Sequence, residues 1–167
     1  LWYTEPLQAI AETHHEGYKL GQQLGDAFAM YNLHLYNQTK YLIGQDLSTI
    51  QTNAKDFIQY QLSRKQKYLV PASVLFYYHV IALRRGLHIL DAGRVDDIPT
   101  ISEMETLISN LAMDFMSKVY RLMRAVLFRH LQLGNDSLDI MNLSESIGEK
   151  KIQLRPIFAI GIFYEGL

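Results

Sequence analysis

Apolar residues along this chain recur at three- and four-residue steps, the spacing of one face of an α-helix. Leu7, Ile10, His14, Gly17, Gly21 and Leu24 form one stripe, and Leu47, Ile50, Ala54, Phe57, Ile58 and Leu62 form a second. Phe76, Val80, Leu83, Leu87 and Leu90 follow at alternating steps of four and three. Met116, Val119, Met123, Val126 or Leu127, and Leu131 make a fourth stripe. Strand-like alternation is not sustained anywhere. The pattern predicts helices over 4–24, 26–44, 47–69, 71–91, a short one near 101–110, then 112–133, 136–149 and 156 onward.

Proline and glycine punctuate these segments. Pro6, Pro71, Pro99 and Pro156 each sit at the front of a periodic stretch, where a missing N–H costs nothing because the first turn has no helical partner for it. Leu24-Gly25-Asp26, Ile43-Gly44-Gln45-Asp46 and Leu133-Gly134-Asn135-Asp136 share one arrangement at the other ends. In each, glycine takes the left-handed stop and aspartate caps the next helix. Ala92-Gly93 reads as a fourth instance.

Links this short make neighbouring helices antiparallel. Helix 71–91 also carries Val74, Tyr78, Ile81 and Ile89, and helix 112–133 adds Phe115, Leu122 and Leu133, so both must be covered on two sides. The expected fold class is all-α, a stack of antiparallel helical hairpins, with a closed helical bundle as the alternative.

At 167 residues the chain suits one domain. Its last apolar segment, 156–167, stops in mid-pattern and its first residue is Leu1, so the expectation is a single helical-repeat domain, 1–167, cut from a longer protein. Hydrophobic residues make up 49% and charged residues 20%, a balance that excludes wholesale disorder. A net charge of −1 argues against a nucleic-acid binder, which would be basic. The absence of cysteine removes disulfides, thiolate metal sites and cysteine nucleophiles, and fits a reducing, cytoplasmic setting. The longest apolar runs, 74–83 and 157–164, fall short of the ~20 residues of a membrane-spanning helix. Three Asn-x-Ser/Thr patterns, at Asn37, Asn135 and Asn142, are short enough to arise by chance.

Sequence motifs for catalysis are sparse. No Gly-x-x-x-x-Gly-Lys-Ser/Thr run offers converging N–H groups and a lysine to phosphates, and no Gly-x-Ser-x-Gly elbow presents a serine. Gly17, Gly21 and Gly25, four apart, read as a close helix–helix contact. His14-His15-Glu16 lacks the second imidazole of a zinc-protease helix, since position 19 is Lys. Glu12 and His15 make one Glu-x-x-His without the second copy a di-iron bundle needs. These residues read as a solvated polar face, with His14 on the apolar stripe as a hydrogen-bonded core histidine. His79, His88 and His130 read as core or rim histidines. No cofactor or metal is expected.

Lys118, Arg121, Arg124, Arg129 and His130 give helix 112–133 a basic character, and Asp114 stands one turn from Lys118. Arg84-Arg85 interrupts an apolar helix and must reach water or a carboxylate. Tyr31, Tyr36, Tyr41, Tyr77 and Tyr78 fall on neighbouring predicted helices, where a ring packs and a hydroxyl bonds. Tyr31, Tyr78, Arg85 and Arg121 are the candidate interaction surface, because aromatic and arginine side chains anchor most protein interfaces.

Trp2-Tyr3-Thr4-Glu5-Pro6-Leu7, then Gly17-Tyr18-Lys19-Leu20-Gly21 and Leu24-Gly25-Asp26, resemble a stretch of large multidomain signalling ATPases. In these an AAA- or STAND-type ATPase module precedes a long tetratricopeptide (TPR)-like helical region, often fused to a protein kinase, histidine kinase or nucleotide cyclase. The stretch from Val119-Tyr120-Arg121-Leu122-Met123 through Leu133-Gly134-Asn135 to Arg155-Pro156-Ile157-Phe158 and Phe163-Tyr164 is similar to that region too. The helices here are longer than a TPR unit's, and the Leu33-His34 position lacks its glycine. The resemblance implies a degenerate TPR-like α-solenoid with no catalytic residue of its own. Its implied role is a regulatory scaffold that contacts a protein partner or neighbouring domains of the same chain. The alternative function is an all-helical metal- or small-molecule-binding bundle, acting as sensor or enzyme through Glu12, His14, His15 or His79.

Overall fold

The computed structural model describes residues 6–24, 29–65, 69–110, 120–121 and 123–124. Five α-helices follow one another: α1 (Leu7–Leu24), α2 (Ala29–Leu42), α3 (Leu47–Ser63), α4 (Val70–Arg85) and α5 (Ile101–Asn110). A 3-10 turn, Leu87–Asp91, stands between the last two. There is no strand among the described residues, so the all-α expectation holds for them. The predicted helices 136–149 and 156 onward lie outside the described residues. So does most of 112–133, of which Tyr120, Arg121, Met123 and Arg124 have helical backbone.

The helix boundaries have local causes. The α1 ladder starts from the carbonyl of Pro6, which accepts from the Ile10 N–H at 3.2 Å. Gly44, at φ +79°, closes α2 with the Gln45 N–H donating to the Lys40 carbonyl at 3.1 Å. Two residues on, the Asp46 carboxylate accepts from the Thr49 N–H at 2.9 Å and caps α3. Hydrogen bonds from Ser48 and Thr49 hold this carboxyl below the usual aspartate range.

Two predicted ends move. Helix 47–69 stops at Ser63, where Lys65 takes φ +57° and its N–H turns back to the Leu62 carbonyl. Helix 71–91 stops at Arg85, because Gly86 adopts φ +95° and the remaining apolar residues wind into the 3-10 turn.

Packing follows chain order. α1 lies against α2, α2 against α3, α3 against α4, and α4 against both α5 and the 3-10 turn. Neither α1 nor α2 has a substantial contact with α5. The α1–α2 contact is close because Gly21 faces Ala29 and Gly17 faces Asn32. Helix α4 is the centre: every residue from Val70 to Ala82 is buried, so it is covered on all sides, as its two apolar stripes require. Ile50, Ala54 and Ile58 of α3 join it in one core with Val95, Ile98, Met104, Ile108, Tyr120 and Met123.

Candidate functional site

Helix α2 turns a polar stripe inward. His34, Asn37, Gln38 and Tyr41 stand at i, i+3, i+4 and i+7, on one helix face. His34, Asn37 and Gln38 are each 2% exposed. Both ends of the stripe meet α4. His34 Nδ1 lies 3.3 Å from Ser73 Oγ, and the Tyr41 hydroxyl shares a 3.0 Å hydrogen bond with His79 Nε2. The Tyr41 ring also stands edge-on to Phe76. His34 stacks on Phe57 of α3, with centroids 6.1 Å apart.

The bonds assign a tautomer. Ser73 Oγ donates to the Leu69 carbonyl at 3.0 Å, so toward His34 it accepts. Gln38 Nε2 lies 2.7 Å from His34 Nε2 and donates to it, which leaves the His34 proton on Nδ1. Five amide atoms of this region meet no protein partner: Asn37 Nδ2 and Oδ1, Gln38 Oε1, and Gln61 Nε2 and Oε1 on α3. A buried polar atom left unpaired costs ~1–3 kcal/mol.

A second polar cluster lies at the far end of α4. Val95, Asp96, Asp97 and Ile98 form a tight turn closed by the Ile98 N–H donating to the Val95 carbonyl at 2.9 Å. Asp96 and Asp97 take φ +53° and +63°, left-handed backbone that aspartate tolerates better than most residues. The turn brings the Asp96 carboxylate to the Tyr77 hydroxyl, which donates to it at 2.7 Å. Gln51 Nε2 approaches the same oxygen at 3.5 Å, while the Gln51 carbonyl accepts from Arg84. The Tyr77 bond, aided by the positive charges of Lys55 and Arg85, holds the Asp96 carboxyl below the usual range. Burial and the bond to Asp96 push the Tyr77 hydroxyl well above the ordinary tyrosine pKa.

Next to this turn, Arg94 and Glu103 form a bidentate ion pair, and Glu103 also caps α5. The Glu103 carboxylate accepts from the Thr100 N–H at 2.7 Å, and Thr100 Oγ1 accepts from the Glu103 N–H at 3.1 Å. Its carboxyl is pushed down to about 2, chiefly by Arg94. The Thr-x-x-Glu spacing is the sequence signal for this capping box. The Asp96 turn has a weaker one, two aspartates between Gly93 and Pro99.

The residues of the candidate interaction surface do not share one patch. Tyr78 is a correction to that set: it is 1% exposed, its hydroxyl donates to the Gly93 carbonyl at 3.1 Å, and its ring meets Tyr77 edge-on. It serves the core and presents no surface. Tyr31 is half-buried on α2, while Arg85 and Arg121 are exposed. Leu83 and Leu87, 40% and 42% exposed, bracket Arg84-Arg85. Arg124 pairs with Glu105 at 3.2 Å. Lys118, Arg129 and His130, like Asp114, lie outside the described residues.

The residues of the metal-bundle alternative do not converge. Glu12 accepts from Gln8 at 3.1 Å, and His15 packs on the Tyr36 ring at 4.8 Å between centroids. His14 Nδ1 lies 3.3 Å from Asn32 Oδ1; burial lowers its pKa, against the opposing effect of that bond. His79 is in the core and His88 on the surface. No three His, Asp or Glu side chains among the described residues could hold a metal ion. Asn37 of the first glycosylation pattern is buried in α2. No described helix is long and apolar enough to cross a membrane. No protein-family model, curated protein or solved structure matches the chain.

Proposed function

We propose that this chain is a non-catalytic protein-interaction and regulatory scaffold, a TPR-like stack of helical hairpins within a larger cytoplasmic signalling ATPase or kinase. The observation that carries this reading is the order of packing. Each described helix lies chiefly on its chain neighbours, with α1 and α2 away from α5, as in an open array rather than a closed bundle. The chemistry of the Asp96 cluster supports it too. A general acid or base works best with a pKa near the ambient pH, whereas here the carboxyl is held low and the tyrosine high. Such a pair fixes a turn instead of moving protons.

The recognition surface in this reading is the exposed end of α4. Arg85 stands between Leu83 and Leu87, and Lys55 joins Arg85 in facing Asp96. Basic and apolar side chains together suit an acidic, partly apolar surface on a neighbouring domain of the same chain. Amine crosslinking of the parent protein tests this. Crosslinks from Lys55 to another module, weakened by Arg85→Glu, are the expected result. Crosslinks from Lys55 confined to residues 1–167 would overturn the reading.

A further inference from the structure

The interior polar stripe carries an inference separate from any surface contact. Its two ends are fixed, His34 on Ser73 and Tyr41 on His79. Seven residues of helix separate those ends, roughly 10 Å along the axis. Asn37 and Gln38 fall inside that interval, on the same face, with three amide atoms that no protein group meets. Gln61 lies one turn beyond Phe57, whose ring stacks on His34, and it is 0% exposed with both amide atoms unmet. Amides that deep are hydrogen-bonded in native proteins, so a partner other than the chain is required.

The donors and acceptors describe that partner. Asn37 and Gln61 each offer one carbonyl and one amide nitrogen, and Gln38 adds a further carbonyl. All three are uncharged, and no described aspartate, glutamate, lysine or arginine is among the buried residues. An ion would find no counter-charge there, and a hydrocarbon would leave the amides unmet. We infer that the interior between α2, α3 and α4 is a binding site for a small uncharged molecule that both donates and accepts hydrogen bonds. Internal water and an amide- or purine-like organic molecule share that chemistry.

Solution NMR on the whole chain separates the sources, with asparagine and glutamine side-chain amides observed in water alone, then with acetamide, then with adenine. The site predicts either water cross-peaks at the Asn37 and Gln61 amides or saturable shifts of those amides with a probe. Water cross-peaks unchanged by either probe assign the site to solvent; a saturable shift assigns it to an organic guest. Absence of both overturns the inference, and this readout needs only the wild-type protein. As a second measurement, Asn37→Leu and Gln61→Leu each remove an anchor of the guest and should lower Tm. A rise in Tm with either variant would mean that a dry, unpaired amide had been replaced by hydrocarbon, and would overturn the inference as well.

Discussion

Gly21→Ala tests the packing of α1 on α2 most directly. In an exposed helix the change stabilises, since alanine is favoured over glycine by ~1 kcal/mol. Here the new Cβ would stand 2.3 Å from the Ala29 Cβ and 3.0 Å from the Ala29 Cα. Carbon atoms in contact prefer about 3.5–4.0 Å, so the helices must separate by more than ~1 Å. Neither atom of Ala29 can rotate away. Overpacking of this kind costs ~1–3 kcal/mol, more than the propensity gain over most of that range. The expected net effect is a loss of about 1 kcal/mol, or ~2–4 °C in Tm for a chain of this length. Thermal unfolding followed by circular dichroism measures it. Ala29→Gly opens the same space from the other side, so the double variant should recover part of the loss caused by Gly21→Ala. Gly17→Ala is a milder control, because its Cβ would meet the Asn32 amide at 3.0 Å, a side-chain end that can turn. A Gly21→Ala variant more stable than wild type, or a loss indifferent to Ala29→Gly, would refute the close contact.

Other expectations follow from the polar clusters and the core. Thr100→Ala removes the hydroxyl half of the α5 capping box and should cost ~1 kcal/mol in denaturant unfolding. Glu103 has a depressed folded pKa, so its contribution to stability is present above the unfolded carboxyl pKa and is lost as pH falls toward about 2; an NMR pH titration of its carboxyl should find that midpoint, and Arg94→Ala should raise it. Tyr77 is shifted the other way, so its share of stability is intact below the unfolded tyrosine pKa of about 10 and is lost as pH rises beyond it. Tyr77→Phe should therefore flatten the alkaline limb of the stability curve. Ile58→Ala, at a site with 0% exposure, should cost ~2–5 kcal/mol by the same unfolding assay.

Helix content was legible because apolar periodicity reports a buried face directly. Asp46 and Gly44 made the α2–α3 junction readable to the residue. The end of α3 was not, since its stop uses Lys65 in the left-handed region where no glycine marks it. Gly86 was hidden differently: Leu83, Leu87 and Leu90 keep helical spacing across it, and only its φ separates α4 from the 3-10 turn. The inward stripe of α2 was the largest omission. Hydrophobic spacing registers buried apolar residues, and His34, Asn37 and Gln38 are buried polar ones. Tyr78 misled for a related reason, because a tyrosine suits an interface and a core equally well until its hydroxyl partner is known.

The two polar clasps between α2 and α4 also bear on which arrangement of the bundle is adopted at all. Apolar ridges alone permit two helices to slide by a turn at small cost, since one leucine or valine row resembles the next. Displacing α2 by one turn along α4 would part His34 from Ser73 and Tyr41 from His79 together. Both losses fall in buried surroundings, where unmet hydrogen bonds are most costly. These pairs therefore fix the axial register of the helices, and a chain with leucine in their place would keep its helices while losing its single alignment.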